Sequence, residues 1–142
     1  MSDNFVGFAQ SPKPDPKRTV TKFRSELDLP VSERTLLSGF ASEATYAQVI
    51  APVSKFDFRP GGKLLFAAEP EFRGTFSQIS IPKTIVLNTE LHGEISFLFS
   101  AGKTSSRVVV EVRKALLPEE VTMWQTSCES VAESIRGVFG RD

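Results

Sequence analysis

Beyond Pro52 the apolar residues recur at every second position for about sixty residues, and that long period-two stretch constrains the fold more than any other feature. Phe56 and Phe58 share a side, as do Leu64 and Phe66. Gly74, Phe76 and Gln78 alternate with Thr75, Ser77 and Ile79. Ile85, Leu87, Thr89 and Leu91 form one side of the next run, and Val86, Asn88, Glu90 and His92 the other. Ile95, Phe97 and Phe99 follow, then Val108, Val110 and Val112 after the turn "SAGKTSS". Turn residues separate these runs at hairpin distances. The expectation is an antiparallel meander of about six strands, apolar on one face and mixed on the other.

The flanking segments read differently. Residues 19–29, "TVTKFRSELDL", form a strand with Phe23, Ser25, Leu27 and Leu29 on one face, ended by Pro30. Ser32 and Ser42 are good N-caps for two short helices, and Pro52 closes the second. At the other end Pro118 suits a first helical position, with Glu119 and Glu120 at the positive end of the helix dipole. Val121, Trp124, Cys128, Val131, Ile135 and Val138 then recur at spacings of three and four, one face of a helix of about five turns. Arg136 and Arg141 fall near its end, which Gly137 and Gly140 mark. Residues 1–18 carry Pro12, Pro14 and Pro16 and read as a flexible tail whose Phe5 and Phe8 are able to dock. The folded domain is expected over 19–142.

Burying the helix stripe on the apolar sheet face gives an α+β architecture, a curved sheet of six or seven strands around a C-terminal helix. Twelve Phe stand against one Tyr and one Trp, so the interior is large and poor in hydrogen-bonding rings. Two readings stay open: a core filled by Phe, and a cavity between sheet and helix. The cavity lining would be Phe56, Phe58, Leu64, Phe66, Phe76, Leu87, Phe97, Phe99 and Val110 from the sheet, with Trp124, Cys128 and Val131 from the helix. Gln78, Thr89 and the Trp124 indole would be its polar anchors, and Tyr46 would reach the entrance. Such a site takes an apolar ligand and orients it weakly.

Several chemistries are disfavoured. Seventeen basic and seventeen acidic side chains cancel, so the footprint of a nucleic-acid binder is missing. No run is long and apolar enough for membrane insertion, and the N-terminus has no signal pattern. The single cysteine, Cys128, permits no internal disulfide, which fits a cytoplasmic location. Gly62-Lys63 and "AGKT" at 101–104 both fail the phosphate-loop spacing and read as hairpin tips. One histidine and one cysteine leave no metal-ligand pair. His92 and Cys128 are expected on opposite sides of the sheet, and Glu90 and Glu111 on the face away from the helix. Glu69 and Arg73 read as a surface ion pair. Parity puts no ionisable group in the cavity, so no catalytic residue, metal or cofactor is expected.

Three stretches carry a family resemblance. "DFRPGGKLLF" resembles the Arg-Pro-Gly-Gly hairpin, "FRGTFSQISIPKTIVLNTEL" the next two strands, and "MWQTSCESVAESI" the Trp-led final helix, of the AHSA-type domains in the START-like (SRPBCC) superfamily. That group is named for the activator of the heat-shock chaperone ATPase. The likeness spans about 19–139 and implies the helix-grip fold known from the birch-pollen allergen. "TYAQVIA" and "SRVVVEVRKA" depart from the group's usual tryptophan pair and Thr-Arg-Leu-like strand. The superfamily implies binding of hydrophobic small molecules, lipid-like or polyketide, and in some branches cyclase or aromatase chemistry. The chaperone-activating role goes with longer proteins and is not carried over. The expectation is a monomer or weak homodimer that binds a hydrophobic small molecule without transforming it. A cyclase-like enzyme and a protein–protein module are the alternatives.

Overall fold

Strand β1 (Thr19–Leu29) turns Phe23, Leu27 and Leu29 inward and Lys22, Arg24, Glu26 and Asp28 outward, the alternation expected of a sheet with one wet face. In the computed structural model, which describes residues 18–101 and 103–139, it is followed by α1 (Glu33–Phe40) and α2 (Glu43–Val49). The meander is β2 (Val53–Phe56), β3 (Lys63–Phe66), β4 (Phe72–Ser80), β5 (Thr84–Thr89), β6 (Gly93–Ala101) and β7 (Ser106–Leu116). A 3-10 turn (Pro118–Glu120) leads into α3 (Val121–Phe139). The expected tail, apart from Arg18, and the marks at Gly140 and Arg141 lie outside the described residues.

All pairings are antiparallel, in the order β1-β7-β6-β5-β4-β3-β2. Hairpins make the consecutive neighbours. Only β1 crosses over, pairing with the last strand so that Phe23 sits opposite Val112 and Leu27 opposite Val108. The Ser32 hydroxyl accepts the Thr35 N–H at 3.3 Å and caps α1, whereas Ser42 holds the extended N-cap conformation with no side-chain bond. Helix α3 buries Cys128, Val131 and Ile135 of the expected stripe together with Ala132 and Phe139, whereas Val121, Trp124 and Val138 are half-buried at its margins. Each large apolar side chain so buried stabilises the fold by about 1.5–3 kcal/mol. The approach of α1 to α3 needs Gly39, where a Cβ would lie 2.2 Å from the Phe139 ring.

Two local expectations need correction. The hairpin tip expected at Gly62-Lys63 is a six-residue loop over 57–62, and Lys63 already belongs to β3. Strand β2 stops at Phe56, so Phe58 lies in the loop, its ring stacked on Phe56 at 6.3 Å. Of the glycine pair only Gly61 has positive φ. Gly62 is required by crowding, because a Cβ there would meet the Asp57 carbonyl. The loop is tied down by Gly61 N–H to Phe76 O at 2.7 Å and Phe76 N–H to Gly62 O at 2.9 Å.

Strand β4 supplies the second correction. Phe76 pairs with Leu87 but Gln78 pairs with Val86, so a bulge at Ser77 reverses parity. Gln78 is exposed on the outer face, bonded to Ser80 Oγ at 2.9 Å, and Ile79 takes the inward position. Gln78 is therefore no polar anchor of the concave face.

Candidate functional site

Helix α3 packs over β1 and β7 and against α2. Over the strands beyond, aromatic side chains reach across the concave face. From α3 the Trp124 ring meets His92 edge-on at 5.3 Å, His92 meets Phe72 at 5.5 Å, and Phe72 stacks on Phe66 at 4.7 Å. That relay runs from the helix across the β5–β6 turn to β3. A second group joins Tyr46 to Phe56, Phe76 and Phe97, and Phe58 to Phe76.

The lining residues expected from sequence lie on the concave side with the exception of Gln78, but Val110, Cys128 and Val131 belong to the β1–β7 half under α3, and most of the set is closed off. Phe66, Phe76, Leu87, Phe97 and Val110 are each 0% exposed, so no water-sized space touches them. Leu64, Phe99, Cys128, Val131 and Thr89 are buried too, whereas Phe56, Phe58 and Trp124 are half-buried. Tyr46, expected at an entrance, is a core residue whose hydroxyl donates to Phe40 O at 2.6 Å. Burial pushes that phenol far above its ordinary range.

Two ionisable groups stand on this face, where none was expected. Strand β5 ends at Thr89, so His92 belongs to the turn and its alternation no longer counts. The Thr89 hydroxyl accepts the His92 N–H at 2.8 Å and donates to Gly93 O at 3.2 Å. Gly93 has φ +75, and a Cβ there would lie 2.4 Å from Arg113 O. This tight turn swings His92 to the helix side. Burial, then the charge of Lys114, lowers its pKa. Lys114 itself follows Val108, Val110 and Val112 on the inward series and was legible as such. Its ammonium donates to Leu91 O at 2.7 Å and lies 4.9 Å from the Trp124 ring centre.

Cys128 does not join them. Its Sγ is 4.0 Å from Ser25 Oγ and from Val110 O, and burial raises its pKa. No cluster of three metal-ligating side chains occurs among the described residues, and no helix among them is long and apolar enough to cross a membrane. Glu111 faces outward as expected, paired with Lys22 at 3.6 Å and Arg24 at 3.8 Å. Glu90 also faces outward but accepts the Arg73 backbone N–H at 2.7 Å, and the expected Glu69–Arg73 ion pair does not form. A groove of about 770 Å³ lies on that outer face, between Lys55, Lys63 and Arg73, with Leu65, Thr75, Asn88 and the Glu90 carboxylate also lining it.

No protein-family model matches the chain, and no curated protein does. Solved structures do. The chain is similar to a Bacillus halodurans protein at TM-score 0.73 and 7% identity, over 87% of this chain and 99% of that one. It is similar to the Aha1 dimer from Colwellia psychrerythraea at TM-score 0.69 and 10% identity, over 84% and 96%. An HSP90 activator from Plasmodium falciparum follows at TM-score 0.59 and 16% identity, over 82% and 94%. Identities this low speak for shared architecture. The likeness is one of fold: the curved seven-stranded sheet and its long covering helix give this chain the helix-grip fold.

Proposed function

We propose that the domain binds an apolar small molecule between the aromatic half of the sheet and α3, without transforming it. The observation that carries this reading is the unequal cover of the concave face: α3 packs closely on β1 and β7, while aromatic side chains such as Trp124 and Tyr46 reach over the strands beyond. A ring that fills space swings about its side-chain torsions while the strands stay in place. Phe56, Phe58 and Trp124 are half-buried at the margin and are the rings with room to move. The AHSA-type resemblance supports the same reading through its superfamily. The ligand must bury enough apolar surface, at about 25 cal/mol per Å², to offset the ring contacts that open.

The test is native mass spectrometry of the purified protein against its denatured mass, followed by titration of fatty acids and aromatic polyketides monitored by amide shifts. A retained mass, or shifts confined to the concave face, supports the reading; unchanged spectra with every apolar ligand sink it. Substitution separates ligand wall from plain core. Phe97→Ala should cost about 3–5 kcal/mol of stability. Trp124→Leu should cost less and change which ligand is preferred.

A second reading has its own observation, the outer groove with Lys55, Lys63 and Arg73. Those cations have no ion-pair partner among the described residues, and three of them against the single Glu90 carboxylate of the groove suit an acidic surface on a protein partner. The neighbours described as an HSP90 activator and a dimer give this reading its precedent. It predicts salt-sensitive association that Lys63→Glu with Arg73→Glu abolishes.

A further inference from the structure

Among the described residues Lys114 is the one charged side chain on the concave side of the strands. It sits between Val112 and Leu116 in the inward series of β7 and is half-buried. The other lysines and arginines of β1 and β7 all have a carboxylate: Lys22 with Glu111 at 3.6 Å, Arg24 with Glu26 at 2.8 Å, Arg107 with Asp28 at 3.0 Å, Arg113 with Glu94 at 3.9 Å. Lys114 forms no ion pair among the described residues, and the one carboxylate its charge reaches, Glu120, is already bonded to Arg18 and to the Leu117 N–H. An ammonium has three donors, and one goes to Leu91 O. Trp124 covers it with a ring face, which attracts the charge but accepts no conventional hydrogen bond. A cation taken part-way out of water beside aromatic rings costs free energy unless something answers its charge. Its long stem also packs, so part of its role is structural.

Its place in the ring relay gives the rest. Trp124, with which Lys114 is in contact, opens the series that continues through His92 and Phe72 to Phe66. A ligand body displacing those rings would end at the ammonium. Building on the apolar-ligand reading above, we propose that Lys114 holds the anionic head of the ligand, which is an amphiphilic monocarboxylate. The apolar body replaces ring contacts toward Phe72 and Phe66, and the carboxylate takes the free donors of Lys114, with the His92 ring as the neighbouring polar group. A monoanion matches the single positive charge. A phosphate dianion would leave half its charge unanswered in a half-buried site.

Trp124 is the only tryptophan of the chain, so its fluorescence reports on this site alone. Titrate the full chain at pH 8 with dodecanoate and dodecanol, and with 2-naphthoate and naphthalene for aromatic bodies. The expected result is that the acid of a pair binds about tenfold to a hundredfold tighter than its neutral analogue, the range of a charge-assisted hydrogen bond. Lys114→Met should remove that preference by weakening the acid, with the neutral analogue within about twofold, and Lys114→Arg should restore it. Equal affinity of acid and neutral analogue for the natural chain overturns the head assignment and leaves the cavity reading standing. Failure of all four probes overturns both. Equal loss of acid and alcohol in Lys114→Met makes Lys114 a packing residue. Should that variant not fold, the comparison of acid with alcohol on the natural chain decides alone.

Discussion

The two halves of the sheet are built on different plans. In β1 and β7 the inner face is mostly aliphatic: Leu27, Val108, Val110 and Val112 lie under the Cys128, Val131 and Ile135 stripe of α3. The outer face there is laced with ion pairs, among them Arg24–Glu26 at 2.8 Å and Arg107–Asp28 at 3.0 Å. In β2–β5 the inner face sets Phe56, Phe66, Phe72 and Phe76 among Leu64, Ile85 and Leu87, and Lys55, Lys63 and Arg73 have no ion-pair partner among the described residues. Branched aliphatic side chains under a helix have few alternative rotamers and fix a wall. Rings meeting rings can repack while the strands hold still. One half is thus a frame and the other an adaptable surface, with His92, Lys114 and Trp124 at the seam.

Truncation in each half puts the largest strain on that contrast. Ile135→Ala should cost about 2–5 kcal/mol and Phe76→Ala about 3–5 kcal/mol by general experience of buried side chains. If the aromatic half adapts, Phe76→Ala falls near the bottom of its range, because the half-buried Phe56 and Phe58 relax into the space. Urea unfolding of both variants measures this. A full cost for Phe76→Ala, together with no uptake of apolar probes, would mean that the aromatic half is as fixed as the frame.

Next in size is the seam. Gly93→Ala puts a side chain on a residue with φ +75 and a Cβ 2.4 Å from Arg113 O. The expected loss is about 1–3 kcal/mol from backbone strain. The same change should move the Trp124 emission, since His92 is held against that ring by the turn Gly93 closes. A stability loss with unchanged emission would show that the turn and the ring relay are independent.

How much of this was legible in the sequence depends on what each residue's position obeys. Period two and the three-four stripe revealed the meander and α3, because burial selects apolar residues at those positions whatever the ligand. The resemblance in "DFRPGGKLLF" led to the same fold from another side. Parity failed at Gln78, where a bulge inserts a residue with no composition of its own to announce it. It failed at His92, where the strand had already ended and a Thr89-anchored turn set the direction. Lys114 is different. Its inward position follows from Val108, Val110 and Val112, and only the habit of assigning lysines to solvent concealed it. The filling of the gap was not legible, since the same Phe residues suit a cavity wall and a packed core.

A smaller effect comes from the titration of His92. Burial first and the Lys114 charge second hold its folded pKa below 6.5. The unfolded chain therefore binds the proton more readily. His92 contributes stability that is fully present above pH 6.5 and is lost as the pH falls below it. The natural chain should lose stability relative to His92→Gln between pH 7.5 and 5. NMR titration of the imidazole should give a midpoint below 6.5; a midpoint at or above that value refutes the burial argument at the seam.

The smallest effect separates the outer faces. Arg107→Gln removes the partner of Asp28 and the more distant of the two partners of Glu26, which keeps Arg24. Lys63→Gln and Arg73→Gln remove charges that have no such partner and that stand near Lys55 in one groove. Thermal unfolding at low salt should therefore fall slightly for Arg107→Gln and stay level or rise slightly for the other two. Both differences should shrink as salt screens them. A fall in all three would mean that the cations of the groove are already answered in the folded protein, and the contrast between paired and unpaired faces would then be one of geometry without energetic weight.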